Sequence, residues 1–265
     1  MINVAEPVLL VRPYDNTLTF LQLLDPTGLH NLVAIHPVTG QVTGCTFGPR
    51  AWEEMRAWIA ARGGAENLYF SPNELDCTAP DAKLSKADIG RLRAVWVDID
   101  PRPDAPLEAE RKRLQDVVND AMQSECPPTI ALDSGGGVQL FWFLGIKISV
   151  DAAQRELAER QGKALAQKFS ADTTQNIDRI MRLPGTLNIL TAAKLARGRV
   201  KAPARIIAFS RRRYTPEALA QYAPTGGSTD TTALAIHQFR MAFQRRGSGR
   251  HAWMILTMRW MPCVN

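Results

Sequence analysis

Apolar and polar positions along the 265-residue chain switch between the two-residue period of strands and the three-to-four-residue period of helices. Residues 1 to 16 carry no clear pattern and read as a lead-in. An apolar segment runs from Leu18 through Leu24. Leu32 to His36 and Gln41 to Phe47 then flank Val38-Thr39-Gly40 and predict a hairpin. Trp52, Met55, Trp58 and Ile59 share one face of a helix over Ala51 to Arg62, which Gly63-Gly64 stops. Asn67 to Ser71 reads as a short strand closing a small α/β unit. Residues 72 to 90 read as a polar loop carrying Lys83 and Lys86.

A strand follows through Val95-Trp96-Val97-Asp98-Ile99-Asp100 and stops at Pro101. Asp104 is the expected cap of a helix whose buried stripe is Leu107, Leu114, Val117, Val118 and Met122. Thr129 to Leu132 and Val138 to Leu144 are strands around Asp133-Ser134-Gly135-Gly136-Gly137. A helix from about Asp151 to Phe169 leads to a last strand after Asn176-Ile177-Asp178. The order from residue 93 to 183 is β-α-β-β-α-β, which predicts an α+β fold. Its core is a ferredoxin/RRM-like antiparallel sheet with helices on one face and the other face free for a site. The expected domain is residues 1–214, with the α/β unit at about 17–75 and the core at about 91–210. A linker over 215–232 and a basic helical tail over 233–265, an accessory or a truncated domain, complete the division.

Alternation within these strands brings chemistry in. Asp98 and Asp100 leave one face of a strand, roughly 6 to 7 Å apart along it. Like charges that close repel unless a cation lies between them, though two solvated aspartates at a strand end would read the same way. If Val138, Leu140, Trp142 and Leu144 face the helices, Gln139 stands on the carboxylate side. Asp178 at the start of the last strand is a third candidate. Three converging carboxylates can hold one or two Mg²⁺ or Mn²⁺ ions. The backbone N–H groups of Gly135, Gly136 and Gly137, with the Ser134 hydroxyl, can form an anion site or simply a tight turn.

Charge and composition narrow the function classes. Residues 1–178 carry 17 basic against 24 acidic residues, whereas 179–265 carry 15 against 2. An acidic part able to hold metal and a basic part able to hold a polyanion follow, a solvated basic tail being the alternative. Lys194, Arg197, Arg199, Lys201 and Arg205 could track a nucleic-acid backbone. The four cysteines form no Cys-x-x-Cys pair, which predicts free thiols in a reducing, cytoplasmic setting. No run is apolar and long enough to span a bilayer, and no Gly-Lys-Ser/Thr loop signals a fused helicase. The histidines at 30, 36, 237 and 251 form no His-x-His pair.

Taken together, Val97-Asp98-Ile99-Asp100, Ser134-Gly135-Gly136-Gly137-Val138-Gln139 and Ile177-Asp178 resemble the three catalytic motifs of the archaeo-eukaryotic primase superfamily. They are more narrowly similar to the primase-polymerases of plasmid and phage replication proteins. Asn67 to Phe70, Lys83, Lys86 and the segment Arg182 to Asn188 extend the likeness over about residues 65–207. The resemblance implies a metal-dependent primase-polymerase that copies a single-stranded DNA template from nucleoside triphosphates, with a separate replicative helicase as a further candidate partner. It implies Asp98, Asp100 and Asp178 as Mg²⁺ or Mn²⁺ ligands. It places Ser134, Gly135, Gly136, Gly137, Gln139 and Arg182 on the nucleotide, while the basic stretch, not the resemblance, offers Lys194, Arg197, Arg199 and Lys201 to DNA. Many members have histidine where this chain has Gln139, which cannot bring a positive charge. A primase-fold accessory that binds single-stranded DNA without catalysis is the alternative.

Overall fold

The computed structural model describes residues 13–103, 105–191, 195 and 200–224. Helix α1 (Pro13–Leu24) starts within the predicted lead-in, and its proline at the first position needs no N–H partner. β1 (His30–Ile35) and β2 (Val42–Phe47) form the predicted hairpin, and α2 (Trp52–Arg62) follows with Met55 and Ile59 buried and Gly63 at its end. β3 (Asn67–Phe70) pairs with β1. The polar loop contains a short edge strand, β4 (Glu74–Leu75), before β5 (Ile89–Ile99). α3 (Leu107–Gln123), β6 (Ile130–Asp133), β7 (Val138–Ser149) and α4 (Ala152–Lys168) come next. Pro106 holds the N-cap position of α3, and the expected cap Asp104 lies outside the described residues. Asp151 caps α4 by accepting from the Gln154 N–H at 2.7 Å.

The remaining strands are short: β8 (Met181–Arg182), β9 (Leu187–Asn188), β10 (Ala202–Pro203) and β11 (Arg205–Phe209). α5 (Pro216–Tyr222) is capped by Thr215 and occupies the start of the predicted linker. The rest of that linker and the tail over 233–265 lie outside the described residues.

The fold is α+β with antiparallel pairing throughout its sheets. One sheet has the order β2-β1-β3-β8 and the other β11-β6-β7-β5-β4, while β9 and β10 pair separately. The element order β5-α3-β6-β7-α4-β8 is the predicted one, but β8 pairs with β3 of the N-terminal sheet. Its two residues form only a Tyr69–Phe70 ladder, and the flank of β5 that it would have taken is held by β4.

The predicted free face of the larger sheet is also covered. Trp96, Phe141, Phe143, Ile130 and Leu132 form one buried cluster with Phe20, Leu32, Leu68 and Phe70 of the N-terminal unit. Phe20 sits edge-on to Phe70 at 4.9 Å and to Phe141 at 6.2 Å, joining α1 to both sheets. Aromatic side chains this large cannot remain against water when an apolar partner face is available. On the opposite face Trp142 packs against Phe169 and Tyr222, and its indole N–H donates to the Cys126 carbonyl. The polar end of the covered face, where Asp98 and Gln139 lie, is therefore the part left for chemistry.

Candidate functional site

β5 delivers its last polar side chain, Asp98, directly opposite Gln139 of β7. Gln139 Nε2 donates to Asp98 Oδ1 at 3.2 Å. Gln139 is 4 % exposed, and its buried Oε1 has no partner among the described residues. Burial, then the charge of Asp100, pushes the half-buried Asp98 carboxyl up to about 6. The Gln139 bond and the Arg179 charge oppose the rise, and Asp172 adds to it.

Asp100 follows β5 and is exposed. The loop beyond it is anchored by Glu110 of α3, which pairs with Arg102 at 2.6 Å and Arg113 at 2.7 Å. Arg113 also donates to the Asp100 carbonyl at 3.2 Å. A carboxylate shared between two guanidinium groups thus holds the turn that carries Asp100.

The glycine run closes a tight turn between β6 and β7. Ser134 Oγ accepts from the Gly137 N–H at 3.0 Å, the Ser134 N–H donates to the Gly137 carbonyl, and the Gly135 N–H donates to Asp133 Oδ1. Ser134 thus serves the turn first, and among the described residues only the Gly136 N–H of the run is without a partner. Side chains are excluded here. Gly135 has φ +78°, and a Cβ on Gly137 would lie 2.5 Å from the Ile99 carbonyl and 2.8 Å from Asp100 Oδ1. Gly137 is thus packed directly against the end of β5 and Asp100, and Gly135 against Asn188 and Ala202.

Arg182 approaches from the N-terminal sheet. It is 8 % exposed, lies over the Tyr69 ring at 4.3 Å, and donates to Asn67 Oδ1, the Tyr69 hydroxyl and Asn188 Oδ1. Burial lowers its pKa, and Tyr69 and Asp98 act in the other direction. Neutral acceptors hold this cation, leaving its field directed at the site. Asn188 in turn lies beneath Gly135 and Gly136, so the network runs from the glycine turn to Arg182.

Asp178 stands in the turn before β8, half-buried, rather than at the start of a strand. Among the described residues no three His, Cys, Asp or Glu side chains form a cluster able to hold an ion. The acidic neighbour of the pair is Asp172, whose N–H donates to the Asp98 carbonyl at 2.8 Å and whose Oδ2 accepts from the Asp100 N–H at 3.3 Å. The sequence offers no signal for Asp172; Asn67, Tyr69 and Asn188 lie in segments that extend the sequence likeness, but their roles depend on contacts between elements.

Two hard carboxylates nevertheless suit Mg²⁺ or Mn²⁺, because such ions often take one or two protein carboxylates and complete their shell with water and phosphate oxygens. The unpaired Gln139 Oε1 and the repulsion between Asp98 and Asp100 fit a site completed by a ligand.

Of the expected DNA-binding residues, Lys201 is exposed just before β10, whereas Lys194, Arg197 and Arg199 lie outside the described residues. A groove of about 1010 Å³ opens from Asp100 and Asp172 along Arg113, Lys168, Phe169 and Tyr222. A second, of about 330 Å³, borders the glycine turn, Arg111 and Arg205. No helix among the described residues is long and apolar enough to cross a membrane.

No protein-family model matches the sequence, and no curated protein matches it. Solved structures do. The archaeo-eukaryotic primase (AEP) domain of the cyanophage S-2L primase-polymerase is 19% identical, with 80% of this chain and 98% of that chain covered and a TM-score of 0.53. Primase RepB′ is 16% identical, with 87% and 68% covered and a TM-score of 0.51. At these identities the likeness is one of fold, and in its fold the chain is of the archaeo-eukaryotic primase type.

Proposed function

We propose that the protein is a metal-dependent primase-polymerase, transferring nucleotides from nucleoside triphosphates onto a chain templated by single-stranded DNA. The observation that carries this reading is the Asp98–Asp100 pair, set at a strand end of a primase-type fold with its mutual repulsion only partly offset by Gln139 and Arg179. Asp98 and Asp100 would hold Mg²⁺ or Mn²⁺, with Asp178 as a third carboxylate to be tested by its own variant. When bound, the ion would supply positive charge to the reacting phosphate and activate the attacking hydroxyl.

The chain's own residues do the rest. The Gly136 N–H is the donor of the run left for a triphosphate, and Ser134 keeps the turn closed by accepting from the Gly137 N–H. Arg182 adds a fixed positive field without reorganising, as it is already held by Asn67, Tyr69 and Asn188. Arg113 and Arg102, through Glu110, keep the Asp100 turn in place. The basic stretch containing Lys194, Arg197, Arg199 and Lys201 would contact the template backbone, giving a salt-sensitive affinity.

The deciding experiment is incorporation of labelled nucleotides on a single-stranded template, with and without primer, in Mg²⁺ or Mn²⁺. Metal-dependent product from the native chain that is absent from Asp98→Ala/Asp100→Ala supports the proposal. Template binding by both proteins with no product from either replaces it with the DNA-binding accessory. A plasmid, phage or mobile-element setting and a separate helicase belong to the same proposal.

A further inference from the structure

The sequence resemblance puts Gln139 on the triphosphate, but its amide is committed elsewhere. We propose that Gln139 is the positioning residue of Asp98, orienting that carboxylate for a divalent cation. This rests on the reading of Asp98 and Asp100 as the residues that hold the ion.

The two side chains face each other across the β5–β7 ladder, so their contact is built into the strand register. An ionised carboxylate only accepts hydrogen bonds, which requires the amide nitrogen, not the carbonyl, to face Asp98. The 3.2 Å Nε2–Oδ1 contact meets that requirement. Gln139 lies between Val138 and Leu140 in the buried first half of β7 and is itself 4 % exposed, which restricts its rotamers. No second side chain competes for the amide, as Oε1 has no partner among the described residues. One oxygen of Asp98 is thereby held, and the other is left for the ion. Ligating carboxylates commonly depend on such supporting hydrogen bonds, whose loss weakens metal affinity about 10- to 100-fold.

Mn²⁺ binding to the full chain, measured by titration calorimetry without nucleotide or template, tests the assignment independently of turnover. Gln139→Met keeps the volume and removes the donor; Gln139→Leu serves as a second variant if the first fails to fold by circular dichroism. Mn²⁺ affinity is expected to fall about 10- to 100-fold. Gln139→His, which keeps a ring N–H, should recover most of it. At saturating metal, the KM for nucleotide should stay near the native value. Native Mn²⁺ affinity in the donor-less variants, while Asp98→Asn/Asp100→Asn has lost binding, would overturn the role of Gln139 and leave the metal site standing. Equal Mn²⁺ affinity in the native chain and the double Asn variant would remove the metal site itself, and this inference with it.

Discussion

Replacing Asp98 with Asn removes a charge that the metal-free fold stabilises poorly. Burial and the Asp100 charge raise the Asp98 carboxyl from 3.8 to about 6. A difference of that size corresponds to about 3 kcal/mol, and solvent access to the half-buried group trims it to about 2 kcal/mol. Between those two pH values the folded state holds the proton more tightly than the unfolded chain. The contribution of this group to stability is therefore greatest below 3.8 and is lost as pH rises through about 6. Asp98→Asn, whose carbonyl can still accept from Gln139, should be more stable than the native chain at pH 8 in chelator. For a unit of this size the gain is roughly 4 to 8 °C in Tm. The advantage should be much reduced at pH 4 and shrink towards zero by about pH 3, where both states of the native chain carry a largely protonated Asp98. Comparing variant with native chain across the pH series isolates Asp98 from the other titrating groups. A variant that is less stable at pH 8, or an advantage that persists unchanged at pH 4, would refute the reasoning. The same substitution should abolish incorporation, the trade between stability and activity expected where charge is held for a ligand.

Three further outcomes follow from the geometry. Gly137→Ala should cost about 1 to 3 kcal/mol in denaturant unfolding, because the new methyl has only the Ile99 carbonyl and Asp100 to displace. It should also reduce incorporation by moving Asp100. Arg182→Lys should not restore what Arg182→Ala loses: an ammonium cannot span Asn67, Tyr69 and Asn188, and the acceptors left unpaired should lower stability by about 1 to 3 kcal/mol in either variant, read by thermal unfolding. Phe20→Ala should cost about 3 to 5 kcal/mol, measured the same way, as it empties the contact that joins α1 to Phe70 and Phe141.

The local periods of the sequence are enough to determine the α2 helix, the β1–β2 hairpin, the β6–β7 hairpin and the order from β5 to β8. Each depends on neighbours within a few turns or one short loop. The same alternation puts Asp98 and Gln139 on one face, and their pairing required only the register of two adjacent strands. Tertiary structure decided the remainder. β8 is too short to choose a partner by its own pattern, and it joined β3, more than 100 residues earlier in the chain. The sheet face expected to be free was claimed by Phe20 and Phe70, since burying aromatic surface outweighs leaving it open. Asp172 reached the strand end through a backbone hydrogen bond to Asp98 and through its carboxylate, which accepts from the Asp100 N–H, a pairing that no side-chain periodicity encodes. Arg182 found Asn67 across a separation of 115 residues. A motif names the groups available for chemistry, but the acceptors and donors those groups meet are settled by packing between distant segments, where each buried polar atom takes the partner that comes within reach.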